Sequence, residues 1–254
     1  MDLFEFSVFI IILAFVCEYV DSSLGMGYGT TLTPLLLIMG YQPLQIVPAV
    51  LLSELITGLS AGFLHHKLRN VNFKIGTLDL KIATVMAGCS VFGALAAVFV
   101  ALNLPIFYIK LYIGLLVLSM GVFIIAALNR TFKFSWKKIT SLGLIAAFNK
   151  GISGGGYGPL VTSGQILSGV KSKAAIGITS LAEGLTCLVG VISYLAFTNH
   201  TIKWNLAPSL VLGAILSVPF AAYTVKKINE RMLKLIVGIA TVTLGLLTLW
   251  KVIF

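Results

Sequence analysis

The chain has 254 residues, of which 58% are hydrophobic and only 10% charged, with a mean hydropathy of +1.04. A soluble globule of this length cannot hide that much apolar side chain, so the composition excludes a water-soluble domain and points to an integral membrane protein with the lipid bilayer as its surroundings. The formal net charge of +10 would suggest nucleic acid in a soluble protein, but here Lys and Arg fall in short loops, where they set orientation instead.

The N-terminus carries Asp2 and Glu5 rather than a basic stretch, so the first apolar run, Phe4 to Val20, reads as a mature segment and not as a cleaved signal peptide. A glycine-rich stretch, DSSLGMGYGTTLTP from Asp21 to Pro34, leads into a short run, Thr30 to Met39. Three longer runs follow at 44–64, 78–102 and 106–128. Each can cross a hydrocarbon core of about 30 Å at about 1.5 Å per residue. A cytoplasmic linker is predicted at 129–135, and then the order recurs. Trp136 to Phe148, the turn KGISGGGYGPLVTSG from Lys150 to Gly164, and Pro159 to Leu167 precede helices at 173–197, 205–225 and 232–254. The two short runs would extend only about 15 Å as helices. Each is therefore predicted to belong to a broken or re-entrant hairpin, 4–39 and 136–167, with its turn at mid-depth against protein or a watery cavity.

The recurrence is also visible residue by residue. At a constant offset of 129, Gly25, Gly27, Tyr28, Gly29, Thr33, Gly40, Leu52, Glu54 and Thr57 fall on identical residues, from Gly154 to Thr186. The offset then drops to 124, where Lys110-Leu111, Gly114 and Gly121 fall on Lys234-Leu235, Gly238 and Gly245. Two copies of one unit, 1–128 and 136–254, account for this. Threading the chain places Lys67, Arg69, Lys74, Lys81, Arg130, Lys133, Lys137, Lys138, Lys171, Lys173, Lys226, Lys227, Arg231 and Lys234 on one side, and Lys110, Lys203 and Lys251 on the other. The first side is predicted to be cytoplasmic, with both termini outside a multi-pass protein of the cell membrane. Each copy then makes an odd number of net crossings, so the second enters upside down. The expected fold class is an all-α membrane protein of two inverted-topology repeats, each a hairpin plus three transmembrane helices. Trp136, Trp204, Trp250 and Tyr108 fall at segment ends as interfacial anchors.

Glu54 and Glu183 carry the strongest functional signal, because a carboxylate at bilayer depth marks a transport path. Both fall about 15 Å into their helices, with Thr57 and Gly58, or Thr186 and Gly190, on the same face. Either could exchange a proton and so couple proton movement to an anion. A structural role, hydrogen-bonding across helices, is the alternative. Asp21 and Lys150 occupy equivalent places before the two turns with opposite charge, so Lys150 is expected either to meet a carboxylate, Asp21 or Glu18, or to await an anionic substrate. The two turns themselves, with Gly25, Gly27 and Gly29 in one and Gly154, Gly155, Gly156 and Gly158 in the other, can present backbone amides to an anion. The hydroxyls of Thr33, Ser153 and Thr162, with those of Tyr28 and Tyr157, could complete its shell.

Other chemistry is weakly signalled. Gly151-Ile152-Ser153-Gly154 has the GxSG form of a rhomboid-type serine protease, but His65, His66 and His200 fall in predicted loops and supply no deep base. Cys17, Cys89 and Cys187 stand apart without CxxC or metal-ligand spacing, so no disulfide, metal or cofactor is expected. A GxxxxGK[ST] nucleotide loop is absent.

The repeated GxGYG turns, Pro34 and Pro159 after them, the GY and GV steps at Gly40 and Gly169, and the two carboxylate helices resemble the sulfite exporter TauE/SafE family over nearly the whole chain. The resemblance implies a two-repeat helical transporter of sulfite, organosulfonates or related small sulfur-containing anions, bound near the glycine turns. The expected function is thus a secondary transporter, proton-coupled and working by alternating access. The competing readings are an anion channel or uniporter, and further off a membrane thiol oxidoreductase.

Overall fold

The computed structural model describes residues 7–25, 27–126, 134–197, 206–225 and 230–253. Among these it is helical, without strands, in the order α1 Val8–Leu24, α2 Tyr28–Ile38, α3 Pro43–Lys67, α4 Leu78–Asn103, α5 Ile106–Ala126, α6 Trp136–Ser153, α7 Tyr157–Leu167, α8 Ser172–Phe197, α9 Ala207–Thr224 and α10 Glu230–Ile253. Among the described residues α3, α4, α5, α8 and α9 are long and apolar enough to cross a membrane. Of the predicted features, most of the 129–135 linker lies outside the described residues, as do Arg130, Lys133, His200, Lys203, Trp204, Lys226 and Lys227.

Local chemistry fixes the helix ends. The Ser7 hydroxyl accepts from the Ile10 amide at the start of α1, and the Thr77 hydroxyl caps α4 with Asp79 in its first turn. Gly25 (φ 68°) and Gly154 (φ 71°) end α1 and α6 in the left-handed conformation. Gly27 (φ 134°) and Gly156 (φ 76°) then open α2 and α7 at angles that strain any side chain. Both leading helices therefore run beyond their predicted ends at Val20 and Phe148. Nothing before Gly25 or Gly154 forces the chain out of the helix, so Asp21 and Lys150 sit in final helical turns and not in the glycine loops. Similarly, α3 continues past Leu64, which places His65 and His66 in its last turn.

The helices pack as related pairs. α3 lies antiparallel on α8, with Leu51 against Gly190, Gly58 against Ser180 and Gly184, and Gly62 against Leu181. A Cβ on Gly58 would come within 2.8 Å of the Ser180 carbonyl oxygen, so this crossing depends on small residues. α5 lies antiparallel on α10 through Gly114 against Leu249 and Gly121 against Val242. α1 runs parallel to α9, where the Ser7 amide donates to Ser209 Oγ and the Tyr19 hydroxyl to Thr224 Oγ1, both at 3.1 Å. α4 runs parallel to α6, with Cys89 beside Thr140 and Gly151 on Ala94 and Ala97. Exchanging α1–α5 with α6–α10 converts the α1–α9 pair into α6–α4 and returns α3–α8 and α5–α10 to themselves.

The core follows the same division. One apolar cluster joins α1, α2, α3, α5 and α9 around Leu32, Leu36 and Leu210, and another joins α4, α6, α7 and α8 around Met86, Val161 and Ile178. Phe63, Phe92, Phe99 and Phe220 point outward and are each at least 61% exposed. In water that surface would cost about 25 cal/mol per Å², whereas against lipid it costs nothing.

Candidate functional site

The two glycine turns meet inside the protein. Gly29 is packed on Gly154 and Gly155, and a Cβ on Gly155 would come within 2.7 Å of the Gly29 carbonyl and the Thr30 amide nitrogen. The Gly156 amide donates to Thr30 Oγ1 at 3.0 Å, and the Thr162 hydroxyl bonds the Gly25 carbonyl at 2.5 Å and Thr179 Oγ1 at 2.8 Å. The Ser153 hydroxyl donates to the Asn149 carbonyl and accepts from the Gly155 amide. The amides of Gly25 and Gly154 close their own helices onto Asp21 and Lys150. Four turn amides are thus already engaged within the protein. Tyr28 shares a 2.9 Å hydrogen bond with Ser53 on α3, and Gly158 and Tyr157 are buried in α7. The Thr33 hydroxyl is buried, has no hydrogen-bond partner among the described residues, and faces the Gly154 turn.

Beside the turns lies a charged cluster. Glu54 is the twelfth of the 25 residues of α3, and Glu183 the twelfth of the 26 residues of α8. The α3–α8 crossing brings them together. The Lys150 ammonium, completely buried, donates to Glu183 Oε1 at 2.7 Å and pairs with Glu54 Oε2. Asp21 joins them: carboxylate oxygens of Asp21, Glu54 and Glu183 all lie within 4.8 Å of one another. Glu18, one turn earlier on α1, accepts from the Ser22 hydroxyl at 2.6 Å. These carboxylates, with Thr57 and Ser180, line a cavity of about 10 Å³, room for about one water. The expected partner of Lys150 is therefore corrected. Glu54 and Glu183 hold it, not Asp21 or Glu18, because the ammonium projects from α6 toward the α3–α8 crossing.

The cluster is buried between the two ends of the bundle. On one side, α3 and the segment before α8 frame an open bowl of about 1200 Å³, lined by Lys67, Arg69, Lys74, Lys171 and Lys173, with Asp79 as its acid. Lys67 is about 20 Å from Glu54 along α3, and His65 lies between them. His65 is no solvated loop residue. It is fully buried, with Nε2 3.1 Å from the Ser22 carbonyl oxygen and Nδ1 3.0 Å from Asn70 Nδ2, which also donates to the Ala222 carbonyl. This links α1, α3 and α9 across the path from bowl to cluster. At the other end Lys251 Nζ donates to the Ile38 carbonyl at 2.5 Å, beside a cavity of about 60 Å³ that Lys110 also lines.

A profile of the sulfite exporter TauE/SafE family matches residues 10–248, which takes in both turns and every charged residue of the cluster. The chain belongs to the sulfite exporter TauE/SafE family. It is also 29% identical over 244 residues to the probable membrane transporter protein YtnM of Bacillus subtilis (strain 168), a match covering 90% of this chain and 79% of that protein.

Within this TauE/SafE protein the residues of the competing motifs are buried. Ser153 ties the second turn, and among the described residues its hydrogen-bond partners are backbone groups of Asn149 and Gly155. Cys17, Cys89 and Cys187 are free and buried on α1, α4 and α8. Two contributors escaped the sequence reading and one was misplaced by it. Thr30 has no signal beyond its place beside the turn, Asn70 sits in a loop that only tertiary contact folds back, and His65 was expected in a loop because its burial depends on α1 and α9.

Proposed function

We propose that this membrane transporter is a secondary carrier of a small sulfur-containing anion, of the sulfite or organosulfonate class, working by alternating access at the Lys150 cluster. One observation carries the reading: a fully buried ammonium held by two buried carboxylates, each from the equivalent position of its own half. An ammonium at that depth needs a counter-charge at every stage. When a carboxylate lets go, through a proton or another cation, an anion becomes the natural replacement. The Thr33 hydroxyl is free to donate to it. The turn amides of Gly25, Gly27, Gly29, Gly154, Gly155, Gly156 and Gly158, with Tyr28, Ser153, Tyr157 and Thr162, then act by changing partners as the turns part. Protonation of Glu54 or Glu183, with Asp21 beside them, is the proposed coupling step.

Two inverted repeats, 1–128 and 136–254, supply the moving parts. The antiparallel packing of α3 on α8 and α5 on α10 supports this reading, because helices related by an axis in the membrane plane run in opposite directions. The basic bowl would collect anions on the cytoplasmic side.

The decisive experiment is counterflow in proteoliposomes. Vesicles loaded with unlabelled sulfite or a small sulfonate should transiently accumulate the labelled anion, and the overshoot should vanish in Lys150→Gln. Downhill flux with no overshoot would replace the carrier by a channel. Exchange that is undiminished in Lys150→Gln would move the site elsewhere. Repeating the assay with and without an imposed proton gradient, in wild type, Glu54→Gln and Glu183→Gln, tests the coupling.

A further inference from the structure

We infer that the carboxylate cluster is also a binding site for a dehydrated, sodium-sized cation, which takes over the carboxylates held by the Lys150 ammonium. A hard cation of calcium's size, which sodium shares, sits about 2.3–2.6 Å from its oxygen ligands. Oxygens of Asp21, Glu54 and Glu183 that are all within 4.8 Å of one another can therefore close on a single ion with only a small side-chain adjustment. A second observation points to the same occupant. Glu54 Oε1 and Glu18 Oε2 are buried and have no hydrogen-bond partner among the described residues, in residues that are each only 2% exposed, and both residues line the 10 Å³ cavity. Buried polar oxygens are normally paired. Two left over around a space of one water's size are what a coordinating shell looks like without its ion.

The donor chemistry narrows the ion. The cluster offers carboxylate oxygens with hydroxyls at Thr57 and Ser180 and no imidazole, which disfavours zinc and copper. Magnesium keeps several of its waters, and the cavity has no room for them. A monovalent ion replaces the ammonium charge for charge. The repeat asymmetry explains the design. The first half has Asp21 where the second has Lys150, so one half supplies a ligand and the other a tethered cation that occupies the site by default. An incoming ion frees the ammonium to meet an anion. That consequence rests on the proposed carrier mechanism, while the binding itself does not.

The test is equilibrium binding of radioactive sodium to the purified full chain, by scintillation proximity, at ionic strength held constant with choline. Wild type should bind saturably, with displacement by unlabelled sodium and not by choline. Lys150→Gln, which removes the competitor, should bind tighter by on the order of tenfold, about 1.4 kcal/mol. Asp21→Asn should lose binding. If Lys150→Gln does not fold, the comparison of wild type with Asp21→Asn still decides. No saturable binding in wild type, displacement by choline, or identical binding in Asp21→Asn overturns the inference. Sodium binding without anion counterflow would spare this site and sink the carrier reading; anion exchange without sodium binding would do the reverse.

Discussion

Lys150 on α6 and Glu183 on α8 are joined at 2.7 Å with side-chain exposures of 0% and 5%. The same ammonium also reaches Glu54 on α3, so one side chain from the second half bridges the carboxylates of both halves. The bridge joins three helices at the level where the two turns touch. A motion that carries the second turn away from the first half parts the ammonium from Glu54 and leaves it on Glu183.

The first prediction follows from that geometry. Lys150→Met leaves two buried carboxylates facing each other, and removing one member of a buried charge group costs about 3–5 kcal/mol. The variant should melt well below wild type in the same detergent and carry no anion. Adding Glu54→Gln and Glu183→Gln should restore much of the stability without restoring transport. A single variant that stays as stable as wild type would show that the bridge contributes nothing to the fold.

The second concerns space at the turns. A Cβ on Gly29 would overlap the Gly154 carbonyl, whereas one on Gly88, on the exposed face of α4, meets nothing within 4 Å. Gly29→Ala should destabilise by about 1–3 kcal/mol through overpacking and depress transport. Gly88→Ala should gain about 0.5–1 kcal/mol from helix propensity. Thermal unfolding of the two side by side checks this, and equal shifts would mean that the turns are not in close contact.

These two cases also show what the sequence made legible. The offset of 129 residues marks Glu54 and Glu183 as equivalent and deep, and clustered glycines mark the turns, because periodicity and left-handed backbone are local properties. Which cation meets which carboxylate is not local. Asp21 and Lys150 match in register, but register gives no distance between helices, and the α3–α8 crossing places Glu54 and Glu183 nearer to the ammonium. The internal engagement of the turn amides escaped for the same reason, since the Gly156 amide has its acceptor 126 residues away on Thr30.

The third prediction tests the seal beneath the basic bowl. Asn70 holds both the buried His65 ring and the Ala222 carbonyl. Asn70→Ala should lose about 1–2 kcal/mol of stability and loosen the path from the bowl to the cluster. Cys187, fully buried and 4.0 Å from the Glu54 carboxylate, is a native reporter. Its alkylation by a maleimide, followed by mass spectrometry to separate it from Cys17 and Cys89, should be slow in wild type and markedly faster in Asn70→Ala. Unchanged labelling would mean that this contact closes nothing.

The fourth concerns orientation, and contacts along the bundle argue it from both ends. Asn70, just past the end of α3 and on the rim of the basic bowl, reaches the Ala222 carbonyl near the end of α9. The end of α9 is therefore on the bowl side and its start on the opposite side. Ser7, before α1, bonds Ser209 near the start of α9, so the chain's first helix begins away from the bowl. Lys251, near the end of α10, bonds the end of α2 at Ile38. α3 begins five residues later at Pro43 and runs 25 residues to reach the bowl, so Lys251 is also remote from it. Because the bowl carries the lysines and arginines that favour the cytoplasm, both ends of the chain should face the exterior. Alkaline phosphatase fused after Phe254 should be active and green fluorescent protein at the same place dark, while an N-terminal tag should be reached by antibody in intact spheroplasts. A bright C-terminal fluorescent fusion would reverse the orientation, and with it the side from which the basic bowl gathers anions.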